Sequence, residues 1–133
     1  MQYSEQAMAL FSSPKYFFTS EDKYNVSGSA GDLNIGEYVN LYFDVEKNDN
    51  YIESKIVKIR FSVMGGVIII AAAEKFCSMV DGKSFGDALK YCDPSGLYVD
   101  LNITEEKMHS VNFVVHAFYS ALESLSDYGC ATL

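Results

Sequence analysis

Residues 37–45, EYVNLYFDV, and residues 57–63, VKIRFSV, are the stretch whose reading decides the fold. In the first, Val39, Leu41, Phe43 and Val45 point one way and Asn40 and Asp44 the other. In the second, Val57, Ile59, Phe61 and Val63 alternate with Lys58, Arg60 and Ser62. A period of two marks a strand with one buried and one wet face. The polar segment 46–51, EKNDNY, lies between them and reads as a turn. Two alternating strands around such a turn predict an antiparallel hairpin.

Outward from the hairpin, Gly65-Gly66 ends the second strand, and Val67 to Val80 follows with Asp81-Gly82 as its stop. Its first half is apolar on all sides, and its length with Ala71–Ala73 predicts a buried helix. Toward the N-terminus, Ser4 is a helix cap, Glu5 complements the dipole, and Pro14 closes a first helix. Residues 15–36 read mostly as loop, with a short strand at Tyr24 to Val26. Their aromatics Tyr16, Phe17, Phe18 and Tyr24 read as core filling ahead of a partner surface. Toward the C-terminus, Ser84-x-x-Asp87 resembles a capping box for a short helix through Tyr91. Pro94-Ser95-Gly96 reads as a turn. Thr104 is the cap of a last helix whose seam is Met108, Val111, Val115, Phe118, Leu122 and Leu125, ending before Gly129. The expected fold is α+β: about three antiparallel strands with helices packed on one face, in a single domain over residues 1–133.

Composition removes several function classes. The chain has 133 residues, 49% of them hydrophobic and 21% charged, an ordinary globular balance. Ten Lys and Arg stand against 18 Asp and Glu, a net charge of −8. That balance disfavours nucleic acid, whose phosphates reward basic patches, and anionic membrane surfaces. The longest apolar run, Val63 to Ala73, is too short to span a bilayer, and the first ten residues lack a signal-peptide pattern. Cys77, Cys92 and Cys130 are odd in number and far apart, which predicts a reducing, cytoplasmic setting rather than a disulfide framework.

Motifs for catalysis are missing. Gly28-x-x-Gly31 with Asp32 is followed by no Lys-Ser/Thr, so it reads as a structural glycine loop rather than a phosphate cradle. His109 and His116 are two helical turns apart, ~10 Å, and cannot chelate one ion together. No nucleophile elbow and no Cys–His pairing occurs. Glu105-Glu106 reads as helix-start charge. The chain is not expected to be an enzyme.

A run of residues nevertheless resembles a known family. Tyr3-Ser4-Glu5 and Pro14, Gly28-x-x-Gly31, Gly36-Glu37, Arg60-Phe61 leading into Gly65, Ile70-Ala71, Gly82-Lys83-Ser84, Asp87-Ala88-Leu89 and Lys107-Met108-His109 occur in order. Over residues 3–125, with one insertion near 46–50, this pattern resembles the IscU/NifU family of iron–sulfur cluster assembly scaffold proteins. The resemblance implies the IscU/SufE-like fold and a cluster held by three cysteines, helped by an Asp and a His. Thiolates are the soft ligands that such clusters require.

By the same resemblance, the three cysteine positions fall on Ile35, Gly66 and Ser110, and the aspartate position on Glu37. Only Glu37 and His109 remain as metal ligands. Along continuous helices Cys77 lies ~16 Å beyond Gly66 and Cys130 ~30 Å beyond Ser110, so Cys92 is the least excluded substitute. The family's Leu-Pro-Pro-Val chaperone segment aligns with Ile103-Thr104-Glu105-Glu106, so chaperone recognition is not expected. The expectation is a scaffold-like protein-interaction module without a cofactor, docking a cysteine desulfurase or another assembly protein. The alternative is weak binding of iron or zinc through Glu37 and His109. If Ile35 and Val67 form a dry patch, the former cluster site becomes a protein contact.

Overall fold

The computed structural model describes residues 3–131; at 99–100 and 127–131 it describes the backbone alone. Helix α1 (Glu5–Ser12) precedes strands β1 (Val26–Asp32), β2 (Glu37–Glu46) and β3 (Lys55–Met64). Helices α2 (Val67–Val80), α3 (Phe85–Ala88), α4 (Pro94–Asp100) and α5 (Met108–Ala131) follow. The strands form one antiparallel sheet in the order β1-β2-β3. This is the α+β architecture expected from the alternating hairpin.

The core lies between one sheet face and the helices. Val39, Leu41, Phe43 and Val45 of β2 are buried, as their period of two predicts. Above them α2 buries Ile69, Ala71, Ala72, Ala73, Phe76 and Val80. Helix α5 buries Val111, Val114, Val115, Ala117, Phe118, Ala121 and Leu125, a wider stripe than the seam read from the sequence. Phe118 joins the layers: its ring centroid is 5.5 Å from both Phe76 and Phe85 and 6.0 Å from Phe43. Such ring pairs add about 0.5–1.5 kcal/mol each beyond burial.

Several local expectations need correction. Residues 26–32 are not loop: β1 runs from Val26 and pairs with β2 along its whole length. Its composition hides it, because Gly28 sits under α5. A methyl there would collide with the Ala117 carbonyl oxygen and the Ala121 amide. The glycine is structural, as read, yet it serves a helix–strand contact rather than a loop.

In β3 the alternation breaks. The register shifts between Asp44 and Val45, so Val45 pairs with Ile56 while Asp44 pairs with Lys58. The extra residue, Val57, turns outward at 49% exposure, and Ile56 takes the buried place.

Pro94-Ser95-Gly96 opens α4 instead of forming a turn. The Asp93 carboxylate accepts from the Ser95 amide at 3.1 Å, and proline is well suited to a first helical turn. At the last helix, Thr104 precedes a 3-10 turn (Glu105–Lys107), but its side chain makes no cap bond. Helix α5 continues past Gly129 to Ala131. The Cys130 side chain lies outside the described residues.

The predicted caps elsewhere form. Ser4 accepts from the Ala7 amide and Ser84 from the Asp87 amide, both at 3.1 Å. The aromatics of the 15–36 segment divide. Tyr16 packs against the core, whereas Phe18 stacks on Tyr42 at 4.2 Å and Tyr24 meets Tyr42 edge-on at 4.9 Å, on the sheet face away from the helices. Phe17 and Tyr24 are exposed, so core filling holds for Tyr16 alone among the four.

Candidate functional site

Three chain segments converge on Glu37, the first residue of β2. The first is the 3-10 turn Leu33–Ile35, anchored by the Asp32 carboxylate on the Asn34 amide at 2.9 Å. It ends in left-handed Gly36, which delivers Glu37 to the sheet. The second is Gly65-Gly66, where β3 turns into α2. Gly65 has φ +151°, and a methyl on it would meet Ile69 Cγ2 at 2.6 Å and Glu37 Cγ at 3.5 Å. Only glycine permits that turn beside the carboxylate. The third is the start of α5, which supplies His109 and Ser110.

At the centre, the buried Ser110 hydroxyl donates to Glu37, 2.7 Å from Oε1 and 3.0 Å from Oε2. His109 Nε2 lies 3.1 Å from the same Oε1. The Glu37 side chain is only 13% exposed, while His109 keeps 43% and packs edge-on against Phe113. Three of the five positions read from the sequence are thus in direct contact. Ile35 and Gly66 stand on the flanking loops. Their side chains have no part in the hydrogen bonds: Ile35 projects outward at 52% exposure, and Gly66 has open space where a Cβ would stand.

Among the described residues no thiol joins this donor set, whereas an iron–sulfur cluster calls for thiolates. Cys77 is fully buried in α2, where burial first, then the nearby Glu74 carboxylate, holds its thiol well above the usual range. Cys92, the substitute least excluded from sequence, is buried too. Its Sγ donates to the Ala88 carbonyl at 3.6 Å, and burial pushes its pKa up to about 12. A ligand thiol needs the opposite, an exposed group with a lowered pKa. Among the described residues no three His, Cys, Asp or Glu side chains are grouped to hold a metal ion. His116 is exposed farther along α5, and Glu105 and Glu106 are exposed in the turn before it.

The apolar surface beside the site is not the pair Ile35 and Val67 alone. Val67 is half-buried, while Leu33 is 69% and Met64 57% exposed. Leu33 and Met64 line a shallow groove with Tyr38, Asn40, Ser62 and Val63. Sequence reading missed both. Their signal was faint: Leu33 sits in a three-residue turn, and Met64 occupies a wet-face position of an alternating strand.

Among the described residues no helix is long and apolar enough to cross a membrane. No curated protein matched the chain. Solved structures do. One is a candidate iron–sulfur cluster assembly scaffold protein for the SUF system from the thermophile Fervidobacterium islandicum AW-1. It is similar at a TM-score of 0.69 and 19% identity, over 90% of this chain and 96% of that one. Another is a hypothetical protein, similar at a TM-score of 0.52 and 16% identity, over 95% of this chain and 93% of that one. Those likenesses carry the fold. The family described as the NifU-like N terminal domain matches residues 2–129. On that match, nearly the whole length of the sequence, the chain belongs to the NifU-like N-terminal domain family of iron–sulfur cluster assembly scaffolds.

Proposed function

We propose that this protein is a scaffold-family member that has given up cluster ligation. In this reading it works without catalysis, as a protein-interaction module of a cytoplasmic iron–sulfur assembly system. The observation that carries the reading is the state of Glu37. Both of its oxygens lie within hydrogen-bond reach of the Ser110 hydroxyl, and one also meets His109. Carboxylate, hydroxyl and imidazole satisfy one another where a cluster would require thiolates. The exposed Leu33, Ile35 and Met64 beside them offer an apolar contact in place of a metal site. A cysteine desulfurase is the expected partner, and the family's chaperone is not, since Ile103-Thr104-Glu105-Glu106 replaces its proline segment.

Anaerobic reconstitution with ferrous iron and sulfide tests the first half. A cysteine-bearing family member run alongside is expected to load, and this protein to retain neither iron nor acid-labile sulfide. Near-stoichiometric iron and sulfide on this chain overturns the reading. For the second half, Ile35→Asp is expected to weaken binding to the desulfurase in calorimetry while leaving the urea midpoint unchanged. Equal affinity of the variant removes the apolar patch as the contact.

One observation favours a second reading, weak binding of iron or zinc: His109 and Glu37 already touch. One carboxylate and one imidazole make a weak site, and the Ser110 proton competes for the carboxylate. Zinc binding by calorimetry that disappears in His109→Ala would establish it.

A further inference from the structure

The most unusual buried group outside the site is Glu74. It is the only charged residue on the buried part of α2 and is 96% removed from solvent (4% relative exposure). Among the described residues it has no cationic side chain within ion-pair distance. Its Oε1 instead accepts two backbone bonds, from Lys15 N at 2.8 Å and Tyr16 N at 3.0 Å. A carboxylate placed this way holds one short segment of main chain, since buried acceptors are kept where donors satisfy them.

That segment closes an edge of the sheet. Residues 16–18 lie against β3 through one parallel bridge: Phe61 N donates to Tyr16 O and Phe18 N to Phe61 O, both at 2.8 Å. Beyond it, the Thr19 amide and hydroxyl bond to Asp22, and Asp22 is 2.6 Å from Lys58 Nζ. Ahead of it lies α1, which packs along α2 yet leaves most of its residues exposed. Ala7 is its only buried residue, and Ser4 Oγ donates to the Leu101 carbonyl at 2.9 Å. An eight-residue helix has little stability of its own. The element therefore depends on that packing and on the polar contacts at its two ends, Ser4 and Glu74. By contrast, β3 is bonded to β2 along nearly its whole length.

We infer that α1 and residues 13–18 form a single latch that opens as a unit, with Glu74 as its catch, and that it controls access to the Cys77 thiol and the β3 edge. Cys77 is fully buried one turn along α2 from Glu74, whose carboxylate holds the Tyr16 amide, and after burial itself it is one of the groups that raise the Tyr16 pKa. Opening lifts residues 15 and 16 off Glu74, one turn from the thiol, and frees the Phe61 amide and carbonyl. Regions with few buried apolar contacts open at lower free energy than the sheet beneath them. This inference is independent of the proposed function, because it involves none of the residues around Glu37.

Amide hydrogen exchange under native conditions tests it. The Phe61 amide belongs to β3, but its acceptor is in the latch. It is expected to exchange together with the Phe18 amide, and faster than the amides of the central strand β2. Glu74→Gln keeps the side-chain shape and removes the charge assistance. It should speed exchange at Phe18 and Phe61 by about tenfold or more without speeding β2. Ser4→Ala, at the far end of the unit, should speed the same two amides, and it decides the matter alone if Glu74→Gln does not fold. In a Cys92→Ala, Cys130→Ala background, alkylation of Cys77 by iodoacetamide should rise in step with Phe61 exchange. Exchange of Phe18 and Phe61 at the rate of β2, or equal acceleration of β2 by the variants, overturns the latch. Alkylation that does not follow Phe61 overturns its control of the thiol.

Discussion

A single missing methyl sets the distance between α5 and the sheet. At Gly28 the Ala117 carbonyl and the Ala121 amide occupy the space a side chain would need, and both are backbone atoms that cannot rotate away. Gly28→Ala is therefore expected to cost about 2–3 kcal/mol, the upper range for overpacking, read as a lower urea midpoint with unchanged slope. Cys92 makes an opposite kind of prediction. Burial raises its folded pKa from 9.0 to about 12. Between those values the folded chain keeps a proton that the unfolded chain releases, so stability falls as pH rises through that window. The slope for this one thiol approaches about 1.4 kcal/mol per pH unit. Urea titrations from pH 8 to 10.5 should show the protein losing stability relative to Cys92→Ala as pH rises. A constant difference between the two removes the buried thiol as the cause.

At the scale of elements, the bulge in β3 exchanges the roles of two neighbouring residues. Val57 fits the alternating pattern but faces water, and Ile56 breaks the pattern but is fully buried. Ile56→Ala should cost about 2–5 kcal/mol, as core truncations do. Val57→Thr should stay within about 0.5 kcal/mol, as surface substitutions do. Equilibrium unfolding of the two variants checks the assignment, and the reverse order would mean an unbroken register. The bulge sits where the hairpin leaves the sheet for the turn at Tyr51–Glu53, and Gly82–Ser84 bonds back to its buried residue, with Ile56 N donating to Lys83 O at 2.8 Å. A bulge re-aims its strand, and here it lets β3 meet both β2 and the α2–α3 connection.

For the whole molecule, the proposed function makes cluster binding a matter of a few side chains on an intact frame. Ile35 and Gly66 stand on loops with room for larger groups, and Ser110 is isosteric with cysteine apart from the larger sulfur. The triple variant Ile35→Cys, Gly66→Cys, Ser110→Cys is therefore expected to gain iron and sulfide on anaerobic reconstitution where the parent gains none. Mössbauer or visible absorption spectra would identify the cluster type. Failure of a folded triple variant to load would mean that the frame around Glu37 has changed as well as the ligands.

The sequence by itself determined the hairpin, the buried helix α2 and the amphipathic α5, because each carries a period that one-sided burial imposes. It also placed Glu37, His109 and Ser110 in one constellation, through the order of short motifs that resemble a family. Only the tertiary structure decided the rest, and in each case the cause is non-local. Strand β1 is Gly- and Ser-rich because a helix nearly ninety residues later rests on it, and nothing in residues 26–32 announces that contact. Val57 turns outward because β2 pairs past it. Cys92 looked available in a loop and is buried against Ala88. Glu74 finds its partners in the backbone amides of residues 15 and 16, brought to it by the path of the chain across β3. Periodicity records which face of an element is buried; which residue covers it is settled when distant segments meet.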